Sequence, residues 1–390
     1  MKNAGWVSDF KLRAGWGQLG NQAGLSDYAW VEKYNIAYYD YTKPEYAEAV
    51  PTIGSLKTMG NTDLTWETTN QVNAGIDFSI LDGRVNFTVD AYYKYTTNLL
   101  LNVPLPSTSK VGSIYRNEGE MSNTGFEFSL SSVNIDKNDF RWDMDFNISM
   151  NRNCLEKLKL QKVYYFAGTS DQQGRESVIR MEEGHPLSQF YGYVSKGVDP
   201  QTGDIIYEDR NGDGRITAAD KTWIGDANPD FTFGFNNTLS WKGLSLSFMI
   251  TGSVGNDIYN ASKVEMVSMN NGYNQITDVL RRWRSPGDIT DMPKAGGTDN
   301  LKVSSRFVED GSYVKLKNLT LAYNIRHPAL AKAHIACIRP YITCNNLLTL
   351  TNYTGYDPEV SEYTSATSMG LDWGSYPNVK TFIFGLNIDF

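Results

Sequence analysis

Residues 380–390 constrain the fold more than any other segment, because their apolar side chains occupy every second position. Successive side chains of a β-strand point to opposite faces, so this segment predicts a strand with one apolar face and one mostly polar face. Soluble β-sandwiches contain such strands, and transmembrane barrels require them, because each strand faces lipid on one side and the lumen on the other. The apolar positions are Phe382, Phe384, Leu386, Ile388 and Phe390.

The same alternation recurs along the chain, and hairpin turns join several of the alternating segments. Asp82-Gly83 and Lys242-Gly243 each separate two such segments, and Asp-Gly in this position is a strong hairpin signal. We count about ten strands, many of them longer than the ~5–6 residues usual in soluble sheets and long enough for a tilted membrane crossing. The clearest alternating segments are 10–16, 72–80, 85–95, 126–130, 140–150, 231–241, 244–250, 319–325 and 339–350.

The connections between these strands fall into two classes. Short turns are predicted at 82–83, 135–139 and 242–243, whereas 21–64, 155–187 and 256–305 are long and polar. Short turns at one end and long loops at the other are typical of outer-membrane barrels. The sequence therefore predicts an all-β protein, an antiparallel transmembrane β-barrel with long extracellular loops.

Composition excludes several other classes of protein. The 390 residues have a mean hydropathy of −0.42 and contain no apolar run near the ~18 residues that a membrane helix needs. A net charge of −8 argues against nucleic-acid binding. The three cysteines match no metal-ligand spacing and are expected to be free thiols. No nucleophile pairs with any of the three scattered histidines, so we predict no catalytic residues and no enzymatic activity.

Residues 1–10 lack the apolar core of a signal peptide. This predicts either a cytoplasmic protein or a chain that begins partway through a longer one.

Residues 209–220 match a calcium-binding loop at the acidic positions and at the glycine that permits its sharp turn, Gly214. The match departs at the last position, where the shorter Asp220 replaces the usual bidentate glutamate. A turn in which Asp and Asn side chains bind only the backbone is the alternative. The predicted Ca²⁺ ligands are Asp209, Asn211, Asp213, the carbonyl of Arg215, and Asp220.

Distinctive motifs follow one another along nearly the whole chain. Residues 11–22 read KLRAGWGQLGNQ, residues 203–209 read GDIIYED, and residues 307–319 read FVEDGSYVKLKNL. Further motifs are IGD at 224–226, NP at 228–229, FGF at 233–235, RW at 282–283, PGD at 286–288, NNL at 345–347, TNY at 351–353, GYDPE at 355–359 and YP at 376–377. In these motifs and their order the chain resembles the SusC/RagA family of TonB-linked outer-membrane transporters.

The resemblance implies a barrel of about 22 strands with a plugged lumen. It implies import of oligosaccharides or peptides through the outer membrane of a Gram-negative, Bacteroidetes-like cell. The implied partners are a SusD-like surface lipoprotein, which acts as a lid, and the TonB–ExbB–ExbD complex, which supplies energy. The barrel is expected to contact outer-membrane lipid, and Phe390 fits the family's assembly signal.

The sequence lacks counterparts of the family's signal peptide, small N-terminal β-domain, TonB box, plug and first barrel strands. About ten strands do not close a barrel of about 22. We therefore expect residues 1–390 to form the C-terminal portion, about half, of a TonB-dependent receptor barrel domain. Such a portion would not transport by itself and would meet TonB–ExbB–ExbD only through the missing N-terminal regions.

A second interpretation is a secreted or periplasmic β-rich module that holds glycans with loop aromatics and calcium. A third, a barrel enzyme, needs a catalytic constellation that the sequence does not contain. The direction of the alternating apolar faces distinguishes the transmembrane barrel from the soluble glycan-binding module. Apolar faces that point outward around a sheet indicate a membrane wall, and faces that point inward between two sheets indicate a soluble module.

Overall fold

The computed structural model describes residues 6–23, 25, 27–39, 50–106, 108–109, 111–168, 177–270, 272–332, 334–359 and 367–390. The first strands are β1 (Val7–Asn21), β2 (Lys33–Tyr39), β3 (Val50–Thr58), β4 (Glu67–Ile80), β5 (Val85–Pro104), β6 (Ser113–Lys137), β7 (Phe140–Leu158), β8 (Val163–Gly168), β9 (Ser177–Glu182), β10 (Gln189–Gly192), β11 (Ser195–Val198), β12 (Ile205–Tyr207) and β13 (Thr222–Asp226).

The remaining strands are β14 (Phe231–Trp241), β15 (Leu244–Val254), β16 (Asp257–Asn260), β17 (Val308–Asp310), β18 (Tyr313–Tyr323), β19 (Cys337–Thr351), β20 (Leu371–Asp372) and β21 (Thr381–Asp389). Two short α-helices are α1 (Ala261–Val267) and α2 (Pro328–Ala331). No helix in the described part of the chain is long and apolar enough to cross a membrane.

One antiparallel sheet of ten strands dominates the fold, and we call it the wall. Its strands lie side by side in chain order, β1-β4-β5-β6-β7-β14-β15-β18-β19-β21. The predicted fold class and the count of about ten strands are confirmed. Sequence-adjacent strands pair because each wall connection brings the chain back beside the strand it has just left.

The register places the apolar side chains of the wall on one face. Residues directly opposite each other in an antiparallel pair share a face of the sheet. One apolar row crosses from β1 to β19 through Phe10, Phe78, Phe87, Leu130, Phe146, Phe235, Ile250, Leu316 and Leu348. Ile342 of β19 lies opposite Phe384 of β21, so the apolar face continues into the last strand.

This apolar face is exposed, and no second sheet formed by the described residues packs against it. Trp16 is 72% exposed, Leu12 68% and Phe384 76%. A soluble sandwich would bury these side chains between two sheets, so their exposure is the arrangement expected of a wall that faces lipid.

The connections sort by end of the wall, as predicted. Turns 81–84, 138–139 and 242–243 and the α2 connection lie at one end, which we call the short-turn end. The predicted turn at 135–139 was too long, because β6 continues to Lys137 and β7 begins at Phe140. Connections 22–66, 105–112, 159–230, 255–312 and 352–380 lie at the opposite end, the long-loop end.

The largest buried apolar cluster of the described residues lies in the long connections. Strands β8, β9, β10 and β13 form a separate four-stranded sheet, and β16, β17 and β20 form a three-stranded one. Phe190, Tyr259 and Phe307 are almost fully buried where these elements meet α1. The long connections are therefore folded structures with an apolar core of their own.

Candidate functional site

The polar face of the wall begins with a three-strand ion cluster. Arg13 of β1 binds Asp77 of β4 in a bidentate geometry, with its Nε 2.8 Å from Oδ2 and its Nη2 3.0 Å from Oδ1. The same Nη2 reaches Asp90 Oδ2 of β5 at 2.9 Å. Gly75 lies between Arg13 and Asp90 in the register, and a Cβ there would come within 2.2 Å of Asp90. Glycine is therefore required for the guanidinium to bridge the three strands.

Neutral amides and hydroxyls form cross-strand hydrogen bonds elsewhere on this face. Asn151 binds Asn123 at 3.1 Å, and Asn318 binds Asn345 at 2.9 Å. Thr320 and Thr343 share a hydrogen bond of 2.9 Å, and Asn345 donates to Thr381 at 3.0 Å. Such side chains retain spare donors and acceptors, so the surface suits water and polar solutes.

A buried charge cluster lies where β18 meets the last long connection. The ammonium of Lys315, whose side chain is 1% exposed, lies 3.0 Å from Asp357 Oδ1 and 2.6 Å from Glu359 Oε2. The half-exposed Lys317 adds an ion pair to Glu359 Oε1 at 2.8 Å. Lys315 is opposite Thr251 and Thr349 in the sheet, which places it on the polar face. The last connection is therefore anchored on the polar side of the wall.

The carboxylates of this cluster have low pKa values. Burial raises the pKa of Asp357, but hydrogen bonds from the Glu359 amide and the Lys315 ammonium outweigh it and hold the pKa below 3.8. Burial also raises the pKa of Glu359, and hydrogen bonds from Lys315 and Lys317 bring it below 4.5. Both groups are thus ionised at neutral pH, as the buried cation requires.

A second anchor ties the same connection to α1 and β17. Glu309 accepts hydrogen bonds from Lys263 Nζ at 2.7 Å and from the Thr354 amide at 2.8 Å. Tyr353 is buried and donates its hydroxyl to Asp372 at 2.5 Å. Burial, followed by the bond to Asp372, raises the pKa of Tyr353, so it stays a neutral donor. These contacts hold 352–359 and 371–372 to the long-loop end.

The predicted calcium loop folds as a set of side-chain-to-backbone turns. Asp209 accepts from the amides of Gly212 at 2.7 Å and Gly214 at 2.8 Å. Asn211 accepts from the Asp213 amide at 2.9 Å, and Asp213 accepts from the Arg215 amide at 2.8 Å. These bonds wrap the first half of the loop tightly, and they use oxygens that a cation would also need.

Asp220, the last predicted ligand, is fully buried and turned toward the loop backbone. It accepts from the amides of Thr217 at 2.7 Å and Arg210 at 3.0 Å, and the Thr217 bond is the main reason its pKa is lowered. Its role in the structure is to close the loop through a capping box with Thr217.

The described residues contain no cluster of three or more His, Cys, Asp and Glu side chains placed to hold a metal ion. The Asn211 amide oxygen and the Arg215 carbonyl would have to complete the ligand set, so the calcium site stays a prediction.

The loop aromatics divide into exposed and buried rings. Tyr28, Trp30, Tyr356 and Tyr376 are 64%, 56%, 72% and 84% exposed, whereas Tyr353 belongs to the anchor described above. Tyr41, Tyr46 and Tyr363 are further aromatic residues of the predicted long loops, and they lie outside the described residues. The exposed rings offer stacking surface at the long-loop end.

An aromatic and cationic cluster on the four-stranded sheet was not found from the sequence. The guanidinium of Arg180 lies 4.3 Å from the ring centroid of Tyr191, 5.7 Å from Trp223 and 5.9 Å from Tyr165. Its Nη2 pairs with Glu182 at 2.7 Å. The residues come from four short strands that pair only in the folded chain, so no local sequence period marks them.

Comparison with known proteins agrees with this geometry. Residues 3–347 match the family model of TonB dependent receptor-like β-barrels. The whole chain is 35% identical to TonB-dependent receptor P3 of Formosa agariphila and 28% identical to TonB-dependent receptor SusC of Bacteroides thetaiotaomicron. The chain covers 40% and 38% of these two proteins, so it spans about two fifths of the length of curated relatives.

A solved structure extends the likeness to the fold. The structure of the RagAB peptide transporter superimposes on the whole chain with a TM-score of 0.85 at 28% identity, and the chain covers 42% of it. These relatives are receptors and transporters by name, which supports a non-enzymatic role. The chain belongs to the TonB-dependent receptor-like β-barrel family of outer-membrane transporters.

Proposed function

We propose that this chain forms part of the wall of a transporter that imports oligosaccharides or peptides across the outer membrane. TonB–ExbB–ExbD supplies the energy, and a SusD-like surface lipoprotein closes the long-loop end. The observation that carries the proposal is the whole-chain superposition on the RagAB peptide transporter. Because the chain spans about two fifths of its relatives, the activity is that of the whole protein.

The two faces of the wall support this role. The exposed apolar face suits lipid, and the opposite face presents amides and hydroxyls that suit passage of a polar nutrient. The anchored last connection lies over the polar face, where a solute entering from the long-loop end would meet it.

The alternative, a secreted or periplasmic glycan-binding module, fits the structure less well. Such a module would bury its alternating apolar side chains, yet Trp16, Leu12 and Phe384 are among the most exposed residues of the wall. An exposed apolar surface of this extent would cause a soluble protein to aggregate.

Gene deletion in the source bacterium tests transport directly. Parent, deletion and complemented strains are given a mixture of peptides and oligosaccharides, and mass spectrometry follows depletion of each compound from the medium. We expect at least tenfold slower depletion of one compound class in the deletion strain, with recovery on complementation and loss in a strain without TonB. Equal depletion of both classes in parent and deletion strains would refute import.

Affinity purification tests the partner. The tagged receptor is extracted from outer membranes in mild detergent, and co-purifying proteins are identified by mass spectrometry. We expect a surface lipoprotein in near-equal amount. If no lipoprotein co-purifies under conditions that retain the folded barrel, the proposed lid is refuted. The proposed transport activity is tested separately by the uptake experiment.

A further inference from the structure

A cleft with cationic and apolar sides lies at the short-turn end of the wall, between turn 242–243 and the start of the α2 connection. Its volume is about 610 Å³. Its charged or ionisable lining residues are Lys242, Arg326 and His327, and its apolar ones are Leu244, Tyr323 and Ile325. None of its lining residues carries a carboxylate.

The cations of this cleft are available to an external anion. Several cations of the wall and its loops are paired with carboxylates, as Arg13, Arg141 and Lys315 show. Within the described residues, by contrast, neither Lys242 nor Arg326 has a carboxylate within ion-pair distance. The ammonium of Lys242 instead lies 5.7 Å from the ring centroid of the exposed Trp241.

The apolar side of the cleft is continuous with the lipid-facing surface. Leu244 lies opposite both Trp241 and Tyr323 in the register, and all three share the apolar face. Ile325 bridges to Ile338 of β19, which is opposite Ile388 on the same face. Leu244, Tyr323 and Ile325 are all exposed. The cleft therefore places exposed apolar side chains next to cations at the membrane boundary.

We propose that this cleft binds an anionic phospholipid of the periplasmic leaflet, the leaflet that the short-turn end of an outer-membrane barrel meets. Lys242 and Arg326 bind the phosphate, and the acyl chains lie along Leu244, Tyr323 and Ile325. Long basic side chains at a membrane boundary direct their charge toward the headgroups. Tyr323 and Trp241 are aromatic residues at the depth where barrels carry an interfacial girdle.

Retention of lipid by the purified receptor tests whether the cleft binds an anionic phospholipid. The complete receptor, as its gene encodes it, is reconstituted in nanodiscs of equal phosphatidylglycerol and phosphatidylcholine and released into detergent, and native mass spectrometry counts the lipids that stay bound. We expect phosphatidylglycerol to be retained at least fivefold over phosphatidylcholine. Lys242→Gln and Arg326→Gln should each lower that ratio about fivefold, the factor for one basic side chain near an anionic surface.

Lys137→Gln is the matched control, because Lys137 is an exposed lysine at the same end of the wall that does not line the cleft. It should leave the ratio unchanged, and heat-modifiable mobility on gels verifies that every variant has a folded barrel. Equal retention of the two lipids by the wild type, or an equal fall in Lys137→Gln, would overturn the proposal. Release of phosphatidylglycerol by millimolar inorganic phosphate, with the same dependence on Lys242 and Arg326, would assign the cleft to a soluble anion instead.

Discussion

Lys315 shows how a single residue fixes the position of a long connection. Its ammonium is removed from water and surrounded by Asp357 and Glu359, which come from a segment more than 40 residues away in the chain. Breaking a buried ion pair by removing one partner costs about 3–5 kcal/mol, because the remaining charge is left uncompensated. An exposed pair contributes about 0–1 kcal/mol.

We therefore expect Lys315→Met to release residues 352–359 from β18 and to lower the free energy of local opening by about 3–5 kcal/mol. Hydrogen exchange of this segment in the purified receptor measures the change. Lys317→Met is the matched control, since Lys317 is half exposed and contacts the same Glu359, and it should change the opening free energy by about 1 kcal/mol or less. Equal effects of the two variants would show that burial of Lys315 does not matter.

The same cluster predicts an acid-sensitive loop. The pKa values of Asp357 and Glu359 are lower in the folded state than their usual values of 3.8 and 4.5. Stability from such groups is present above the unfolded pKa and is lost as pH falls through the folded pKa. Exchange protection of 352–359, corrected for intrinsic rates, should be constant above pH 5 and decrease below about pH 4.5, before the wall opens. Protection that decreases near pH 6, or persists at pH 2, would contradict this.

The loop at 209–220 gives a third prediction at the residue scale. If it binds calcium, Tb³⁺ in its place should emit on excitation of Trp223, three residues beyond Asp220, and excess Ca²⁺ should quench that emission. Asp213→Asn should lower Tb³⁺ affinity at least tenfold, because hard cations need carboxylate charge. Asp199→Asn is the control, since Asp199 forms a similar turn with the Gln201 amide outside the loop. Unchanged emission in Asp213→Asn would identify the loop as a turn that binds only its own backbone.

The elements of the wall were predictable because their signal is local. A strand between lipid and a polar lumen must alternate over many residues, and hairpin turns such as 82–83 and 242–243 mark where it reverses. The elements within the long connections were not predictable. Strands β9, β10 and β13 have four to six residues each, and core residues such as Ile179 and Phe190 meet through pairing that no local period records.

The two faces of β14 allow a matched test of the wall. Phe235 lies on the apolar face opposite Phe146 and Ile250, and its neighbour Asn236 lies on the polar face opposite Asp145. Phe235→Lys should cost about 2–4 kcal/mol if the site is near the bilayer midplane, and it should reduce the amount of heat-modifiable barrel in outer membranes. Asn236→Lys should be tolerated, because the lysine faces water and a carboxylate. Equal assembly of both variants would argue against lipid on the apolar face.

At the scale of the whole molecule, the sequence determined the direction of every wall connection but not how the loops fold. In an antiparallel sheet with its strands in chain order, successive connections must lie at alternate ends. The placement of turn 82–83 and connection 256–305 at opposite ends therefore follows from the order of the strands. The anchoring of 352–359 over the polar face does not follow, because it depends on Lys315 and Glu309 meeting partners far along the chain.

This sorting predicts which residues face the cell exterior. Ile289 in the 255–312 connection is 93% exposed and Tyr376 in the 352–380 connection is 84% exposed, whereas Asp139 lies in a turn at the short-turn end. Long loops of outer-membrane barrels are extracellular and short turns are periplasmic. In intact cells, a membrane-impermeant maleimide should label Ile289→Cys and Tyr376→Cys, and it should label Asp139→Cys only after the outer membrane is permeabilised.

The native Cys154, Cys337 and Cys344 set the background, which the unsubstituted receptor measures in both conditions. Labelling of Asp139→Cys in intact cells, with protection of Ile289→Cys, would show that the short-turn end faces the cell exterior. That result would place the Lys242 and Arg326 cleft at the outer leaflet. It would also place the long-loop end, and with it the proposed lid, on the periplasmic side of the membrane. The topology thus links the lipid proposal and the import proposal to one measurement, since both require the short-turn end to face the periplasm.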